Sequence, residues 1–306
     1  MYNSNNEFFM SPKNDYVFKK IFGDENNKDI LSSFLSCVIN EQINDVSILN
    51  NEITKENTAD KKSILDIRAT INDGVQIDIE IQLSRTIYMP ARSLYYWSKI
   101  YMEQLQIGQI YKKLNRTICI NILDFISTES KKYHSVYRLK ETEENFELTN
   151  LMEIHFIEIP KLKGYEKNDV LSQWINFINA DSREELKKMA IVNKNIDKAF
   201  DILNVMSQNK EERAAYLSRE MALHDEVTKL EEALQEGRQE GRQEGRQEGR
   251  QEGRQEGLEE GRQEGLEEGE KKKALEIAKN LLDILDNETI AIKTGLTLDE
   301  IENLRK

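Results

Sequence analysis

Residues 63–83 read SILDIRATINDGVQIDIEIQL, and their alternation decides the fold. In the first half Leu65, Ile67, Ala69 and Ile71 alternate with Asp66, Arg68 and Thr70. In the second half Val75, Ile77, Ile79, Ile81 and Leu83 alternate with Gln76, Asp78, Glu80 and Gln82. A period of two predicts two strands joined by a turn. Their apolar rows share a face only when odd positions pair with odd. A two-residue Asp73-Gly74 turn pairs Asn72 with Val75 and breaks that rule. A three-residue loop, Asn72-Asp73-Gly74 with Gly74 left-handed, pairs Ile71 with Val75 and keeps it. That register sets Asp66 directly opposite Glu80, with β-carbons about 4.5–5.5 Å apart, and sets Asp78 opposite Arg68, which neutralises it.

Like charges so placed repel, and two candidates can hold Asp66 and Glu80 together. One is Arg68, diagonal to Glu80; the other is a divalent cation with oxygen ligands. Helices are expected on both sides of these strands. Upstream, SPKNDYVFKKIFGDENNKDILSSFLSCVI carries Val17, Phe18, Ile21 and Phe22 after a cap at Asn14 or Asp15, then Ile30, Leu31, Phe34, Leu35 and Val38 in a helix starting at Asp29. A strand is expected around 46–53. Downstream, Leu94, Trp97, Tyr101 and Leu105 predict a helix from Pro90 to Lys113 that runs straight into the apolar strand TICINILDF. Further strands are expected at 133–139 and 153–159, closed by Pro160 and Gly164, and residues 168–235 read as helices throughout.

The composition narrows the function classes. The chain has 306 residues, a formal charge of -13 and 38% hydrophobic residues, enough for a core of ordinary size. Cys37 and Cys119 lie on apolar stretches far apart, which is neither a disulfide framework nor a zinc site, and a reducing cytoplasm is expected. No apolar run predicts a membrane span, and MYNSNNEFFM lacks the pattern of a signal peptide. His134, His155 and His224 stand without His or Cys at ligand spacing, so all three are read as structural.

Nine of the 14 glycines, Gly237 to Gly269, recur at every fourth position of EGRQ-type tetrads in 236–271. With 12 acids and 7 bases this segment does not bind DNA by bulk charge. Each Gly costs a helix about 0.8–1 kcal/mol relative to Ala, so disorder is one reading. The other is a self-associating helical stalk, continuous with the 4-3-4 spacing of Leu223, Val227, Leu230 and Leu234, a short coiled-coil seam. The tail after it predicts two amphipathic helices, with turns near Asn287 and at Gly295 and a cap at Thr297 completed by Glu300.

An Asp on one strand, then Glu-x-Lys on the next after a hairpin, with helices before and after, is the core of the PD-(D/E)XK nuclease superfamily. Asp66, Glu80 and Gln82 stand in that arrangement. With NDYVFKKIFG, DIEIQL, RSLYYWSKIY and the EGRQEG tetrads, the chain resembles the Rpn family of recombination-promoting nucleases and transposases over nearly its whole length. The resemblance implies an α/β fold, a restriction-endonuclease-like mixed sheet flanked by helices, followed by a helical extension and a Gly-rich C-terminal stalk. The expected divisions are 1–165 for the nuclease core, 166–235 for the helical extension, 236–271 for the tetrads and 272–306 for a C-terminal helical module. It implies a DNA endonuclease serving recombination, mobile elements or phage defence, in which Asp66 and Glu80 hold Mg²⁺, with Mn²⁺ able to substitute. The backbone carbonyl of Ile81 is a further implied ligand. Asp15 is either a first-helix ligand or a helix cap. Gln82 stands where the superfamily has Lys, in keeping with the Rpn family's own pattern, and an amide can orient the attacking water but not deprotonate it. That departure leaves a second reading, a DNA-binding or assembly protein with the nuclease fold and little activity. Lys19, Lys20, Arg85, Arg92, Lys112, Lys113 and Arg116 are the candidate DNA contacts, each equally readable as solvated. Tyr95, Tyr96 and Trp97 are read as helix packing. The partners expected are DNA and a second copy of the chain joined through the C-terminal helices, with no membrane.

Overall fold

In a computed structural model of the chain, which describes residues 8–51, 65–163 and 169–305, the N-terminal sequence forms two helices. Helix α1 (Asp15–Phe22) starts at Asn14, whose side chain accepts from the amide of Tyr16, and it buries Val17, Phe18, Ile21 and Phe22. A short 3-10 turn leads into α2 (Lys28–Ile39), so this helix begins one residue before Asp29. It ends at Asn40 in the left-handed region, φ 58°, which a short polar side chain tolerates.

The strands of the described residues are β1 (Val46–Leu49), β2 (Ile67–Ile71), β3 (Val75–Gln82), β4 (Thr117–Leu123), β5 (His134–Tyr137) and β6 (Met152–Glu158). They form one mixed sheet in the order β1-β2-β3-β4-β6-β5. β3, β4 and β6 run parallel in the middle, and antiparallel strands close both edges. β4 is buried at every position, as a parallel strand covered on both faces must be. The expected strand residues 52–53 and 63–64, together with Gly164 and Lys306, lie outside the described residues.

Between β3 and β4 the chain crosses through α3 (Met89–Glu103), and after β6 it continues into α4 (Val170–Ile178), α5 (Arg183–Ala190) and α6 (Lys194–Gln208). One apolar layer packs Ile77, Ile79, Ile81 and Ile118 against residues of α1, α2, α4 and α6, including Phe34 and Trp174. The other layer joins Cys119, Leu123 and Phe156 to Met89 and Ile100 of α3. Each such large apolar side chain contributes about 1.5–3 kcal/mol on burial.

Helix α3 corrects two expectations. It stops at Glu103 and does not reach Lys113, because the Gln104 side chain crosses to the next strand. Its Oε1 accepts from the amide of Asn115 at 2.7 Å and its Nε2 donates to Thr117 Oγ1 at 2.8 Å. Gly108, at φ 85°, then turns the loop. Its buried face is also rotated from the expected one: Met89, Ser93 and Ile100 are buried, whereas Leu94 is 49% exposed.

The chain divides into two compact units, Met1–Val227 and Thr228–Lys306. The boundary falls within α7 (Lys210–Leu281), so the tetrads are helical. In the first unit, the start of α7 clamps α1. Tyr16 donates to Glu212 at 2.6 Å, Lys20 pairs with Glu212 at 3.0 Å, Arg219 pairs with Asp15 at 2.7 Å, and Asn14 donates to Glu220 at 2.6 Å. In the second unit, α8 (Asn287–Thr294) and α9 (Leu298–Arg305) pack Ile290, Leu296 and Ile301 onto Ala278 of α7. The tail therefore holds the end of one long helix and two short ones. Asp286 caps α8, Gly295 ends it at φ 72°, and Thr297 and Glu300 exchange the reciprocal bonds of a capping box. Among the described residues no helix is long and apolar enough to cross a membrane.

Candidate active site

The hairpin pairs odd with odd. Ile71 faces Val75, Ala69 faces Ile77 and Ile67 faces Ile79. Gly74, at φ 95°, and Asn72, at φ 45°, turn the three-residue loop. Extending the register by one residue brings Asp66 to Glu80, and each carboxylate holds the other residue's strand. The amide of Asp66 donates to Glu80 Oε1 at 3.2 Å, and the amide of Ile81 donates to Asp66 Oδ2 at 2.9 Å. Ile81 thus enters the site through its amide, and its carbonyl belongs to the next peptide unit of the same strand.

The acids are balanced by cations from other elements, and Arg68 is not one of them. Lys19, projecting from α1, places its ammonium 2.8 Å from Asp66 Oδ1 and 4.0 Å from Asp15 Oδ2. Arg92, on α3, spans Glu80 Oε2 and Gln82 Oε1, both at 2.9 Å, and lies 5.2 Å from the centre of the Tyr96 ring. The other end of the Gln82 amide donates to the carbonyl of Ser84 at 3.1 Å. Arg68 turns away to Glu103 at 2.8 Å, because α3 brings that carboxylate over the strand. Asp78 therefore stands opposite Arg68 without being paired to it. Asp15 lies next to the site through Lys19, and the capping role falls to Asn14.

Asp78 and Glu80 are buried, at 1% and 3% exposure. Burial pushes the Asp78 carboxyl up to about 7, opposed by the Cys119 thiol, raised further by the charge of Asp66 and lowered by Arg68 and Arg92. Burial, then the charges of Asp78 and Asp66, hold Glu80 well above the usual carboxylate range in spite of Arg92. Asp78 Oδ1 is buried without a hydrogen-bond partner. These are hard oxygen donors in a cluster short of positive charge, a set that fits a small divalent cation. No group of three or more His, Cys, Asp or Glu converges into a metal cage among the described residues. Mg²⁺ does not require one, since it commonly uses one or two carboxylates and retains water.

The sequence pattern of the PD-(D/E)XK nuclease family transposases matches residues 12–233. The chain belongs to that family. No protein of curated function and no solved structure is similar enough to be matched with it. As a PD-(D/E)XK nuclease family transposase it is placed among nucleases, which generally use divalent metal ions and act on DNA.

Of the other basic candidates in this PD-(D/E)XK chain, Lys20 is bound to Glu212, and Arg116 is bound to Glu41 and Glu153. Arg85, Lys112 and Lys113 are exposed. Trp97 packs as expected, stacking on Tyr101 with ring centres 4.7 Å apart and donating to the carbonyl of Thr117. The histidines do not all stand alone. His134 Nε2 lies 2.8 Å from His155 Nδ1, and His155 Nε2 lies 2.6 Å from Glu153, which also binds Arg116 and Arg138. The spacing Glu153-x-His155 on one strand face was the signal for this chain of contacts. The roles of Lys19 and Arg92 had no comparable signal, since each comes from a helix whose approach depends on tertiary packing.

Proposed function

We propose that the chain is a metal-dependent DNA endonuclease that hydrolyses phosphodiester bonds, with Asp66 and Glu80 as its central acids. The observation that carries this reading is their juxtaposition next to a buried, unpartnered Asp78 oxygen, a site with more acid than its own cations offset. Asp66 and Glu80 would hold Mg²⁺ or Mn²⁺, with the Ile81 carbonyl and Asp15 as further ligands. When bound, the ion neutralises charge on the phosphate and acidifies water.

The protein's own groups prepare that site. The Ile81 amide orients Asp66, and the Asp66 amide orients Glu80. Arg92 fixes the Gln82 amide, whose part is to orient the attacking water. Lys19 supplies beside Asp66 the ammonium that position 82 lacks, where it can stabilise a phosphate oxygen or the departing group. In this reading residues 1–165 carry catalysis, 166–235 brace it, 236–271 form the stalk and 272–306 serve assembly. Recombination or transposition of mobile elements is the process such cutting would serve.

A second reading, a DNA-binding protein with little catalytic power, draws support from one observation: both ends of the Gln82 amide are engaged within the protein. Incubation of supercoiled and linear DNA with Mg²⁺ or Mn²⁺, with and without EDTA, separates the two. The endonuclease reading expects nicking or cutting that EDTA stops and that Asp66→Asn or Glu80→Gln lowers by at least about 100-fold. Cleavage unchanged in both variants refutes the assignment of the acids. DNA binding without cleavage by the unsubstituted chain selects the second reading.

A further inference from the structure

The parallel strands β3, β4 and β6 end at one edge of the sheet, and the acid pair is only the first feature along it. The register runs across that edge from Gln82 to Leu123 and from Leu123 to Glu158, whose amide donates to the carbonyl of Tyr133 at 2.7 Å. Three strand spacings make this about 14 Å, on the order of four steps of a DNA duplex.

At the far end lies a cavity of about 460 Å³ lined by Lys131, Lys132, Tyr133, His134, Lys163 and Asp169, among others. Lys161 also lines it, but its ammonium is committed to Glu158 and to the carbonyls of Thr128 and Ser130. Asp169 is committed as well. One oxygen accepts from the Tyr133 hydroxyl at 2.5 Å and the other from the Ser172 amide at 3.2 Å, where it caps α4. Lys131, Lys132 and Lys163 are different. All three are exposed, and none has an ion pair or side-chain hydrogen bond among the described residues. Glu158 and Asp169 beside them are satisfied, so among the described residues three ammonium groups line one cavity without an ion pair, in a chain whose total charge is -13.

Repulsion among three neighbouring cations is tolerated at a surface, and it becomes favourable when an anion sits between them. Along the same edge Lys19 and Lys13 also project, each held by a carboxylate, Lys19 by Asp66 and Lys13 by Asp124. We infer that Lys131, Lys132 and Lys163 form a phosphate-binding site for the backbone of the nucleic acid, a few nucleotides from the bond placed at Asp66 and Glu80. The inference rests on the nuclease reading and adds to it the direction in which the substrate lies, across the strand ends from β3 toward β5. Phosphate contact fixes register without reading sequence, which is the service a cutting site at the other end of the edge requires.

The test uses the full chain, a short labelled duplex and EDTA, so that binding is read without cleavage. The variant replaces all three lysines, Lys131→Gln, Lys132→Gln and Lys163→Gln. Binding should weaken at least about tenfold, and the slope of log affinity against log salt should fall by about 2–3, near 0.9 per lost phosphate contact. The corresponding Lys→Arg triple variant should retain affinity, and with Mg²⁺ the Gln variant should show a raised KM with kcat little changed. Unchanged affinity and slope, in a Gln variant of a chain that itself binds and cuts DNA, overturn this site and leave the nuclease reading intact. A titration with inorganic phosphate separates the other source of the same chemistry: loss of free-phosphate binding with unaltered DNA affinity also overturns the backbone site. A starting protein that neither binds nor cuts DNA removes the nuclease reading and this inference together.

Discussion

Glu80 shows how a single residue records its surroundings. It is nearly buried and shares two neighbouring acids, and its guanidinium partner comes from a different element. Arg92→Ala should therefore cost about 1–3 kcal/mol in urea denaturation, because it leaves a buried acceptor unsatisfied. Glu80→Gln in the same chain should recover most of that loss; full additivity of the two changes would show that the pair is not coupled. His134 offers a second test. Burial, then His155, pushes its imidazole down to about 4. The unfolded chain takes up this proton near pH 6.5 and the folded chain only near 4, so the unfolded state binds more protons in between. The contribution of His134 to stability should be complete above about pH 6.5 and should fall on acidification toward 4, by on the order of 3 kcal/mol in total, while the raised carboxyls of Asp78 and Glu80 act with the opposite sign. Denaturation midpoints of the unsubstituted chain and of His134→Asn that keep a constant difference from about pH 6.5 to 5 would contradict this. At this scale the opposition of Asp66 and Glu80 could be read from alternation alone, since a one-residue slip exposes every apolar side chain of the hairpin. Lys19 and Arg92 could not be matched to their acids in that way, because side-chain partners across elements depend on where whole helices settle.

Among the elements, α3 and α7 teach opposite lessons. The sequence of α3 is apolar nearly all round, with Leu94, Tyr95, Trp97, Ile100 and Met102 within three turns. Periodicity then finds a helix without finding its buried side, and the face it predicts lies a fraction of a turn from the buried one. In α7 the pattern is extreme and local context is absent. A β-carbon added at any of the nine tetrad glycines would meet nothing within 4 Å, and Val227, Leu230 and Leu234 are 43%, 64% and 56% exposed. Among the described residues nothing packs on these glycines, which favours a role in association between chains. A 211–306 fragment should be helical by circular dichroism and larger than a monomer by light scattering, with both signals falling on dilution. A monomeric coil ends the idea. Replacing Gly245, Gly249 and Gly253 by Ala should strengthen an isolated helix by about 0.8–1 kcal/mol each yet weaken assembly if backbones approach along the stripe. Greater helicity with unchanged assembly would remove the glycines from the interface.

For the whole molecule, the order of strands and helices followed from periodicity, while their union in a mixed sheet was what the family resemblance implied, and the parallel pair β3-β4 has the covered crossover such a pair needs. The placement of β5 outside β6 did not follow, since the two segments expected at 133–139 and 153–159 carry no pattern that says which lies at the edge. The metal binding proposed for the acid pair belongs to the assembled core and can be tested without any cleavage assay. Mn²⁺ at about 100 times its dissociation constant should stabilise the folded chain by about 2.7 kcal/mol, or roughly 5–10 °C in melting temperature. Asp66→Asn should abolish that shift, and a shift kept in full would place the ion elsewhere. The clamp between α1 and the start of α7 has a temporal meaning as well. Lys19 rides on a helix whose last fastenings, Glu212, Arg219 and Glu220, lie about 200 residues after it. At about 5–20 residues per second of synthesis, the ribosome releases Asp66 roughly 8–30 seconds before Arg219. During that interval Asp66 and Glu80 exist without the fastened helix that carries Lys19, so the arrangement of Lys19 beside Asp66 is completed late in synthesis.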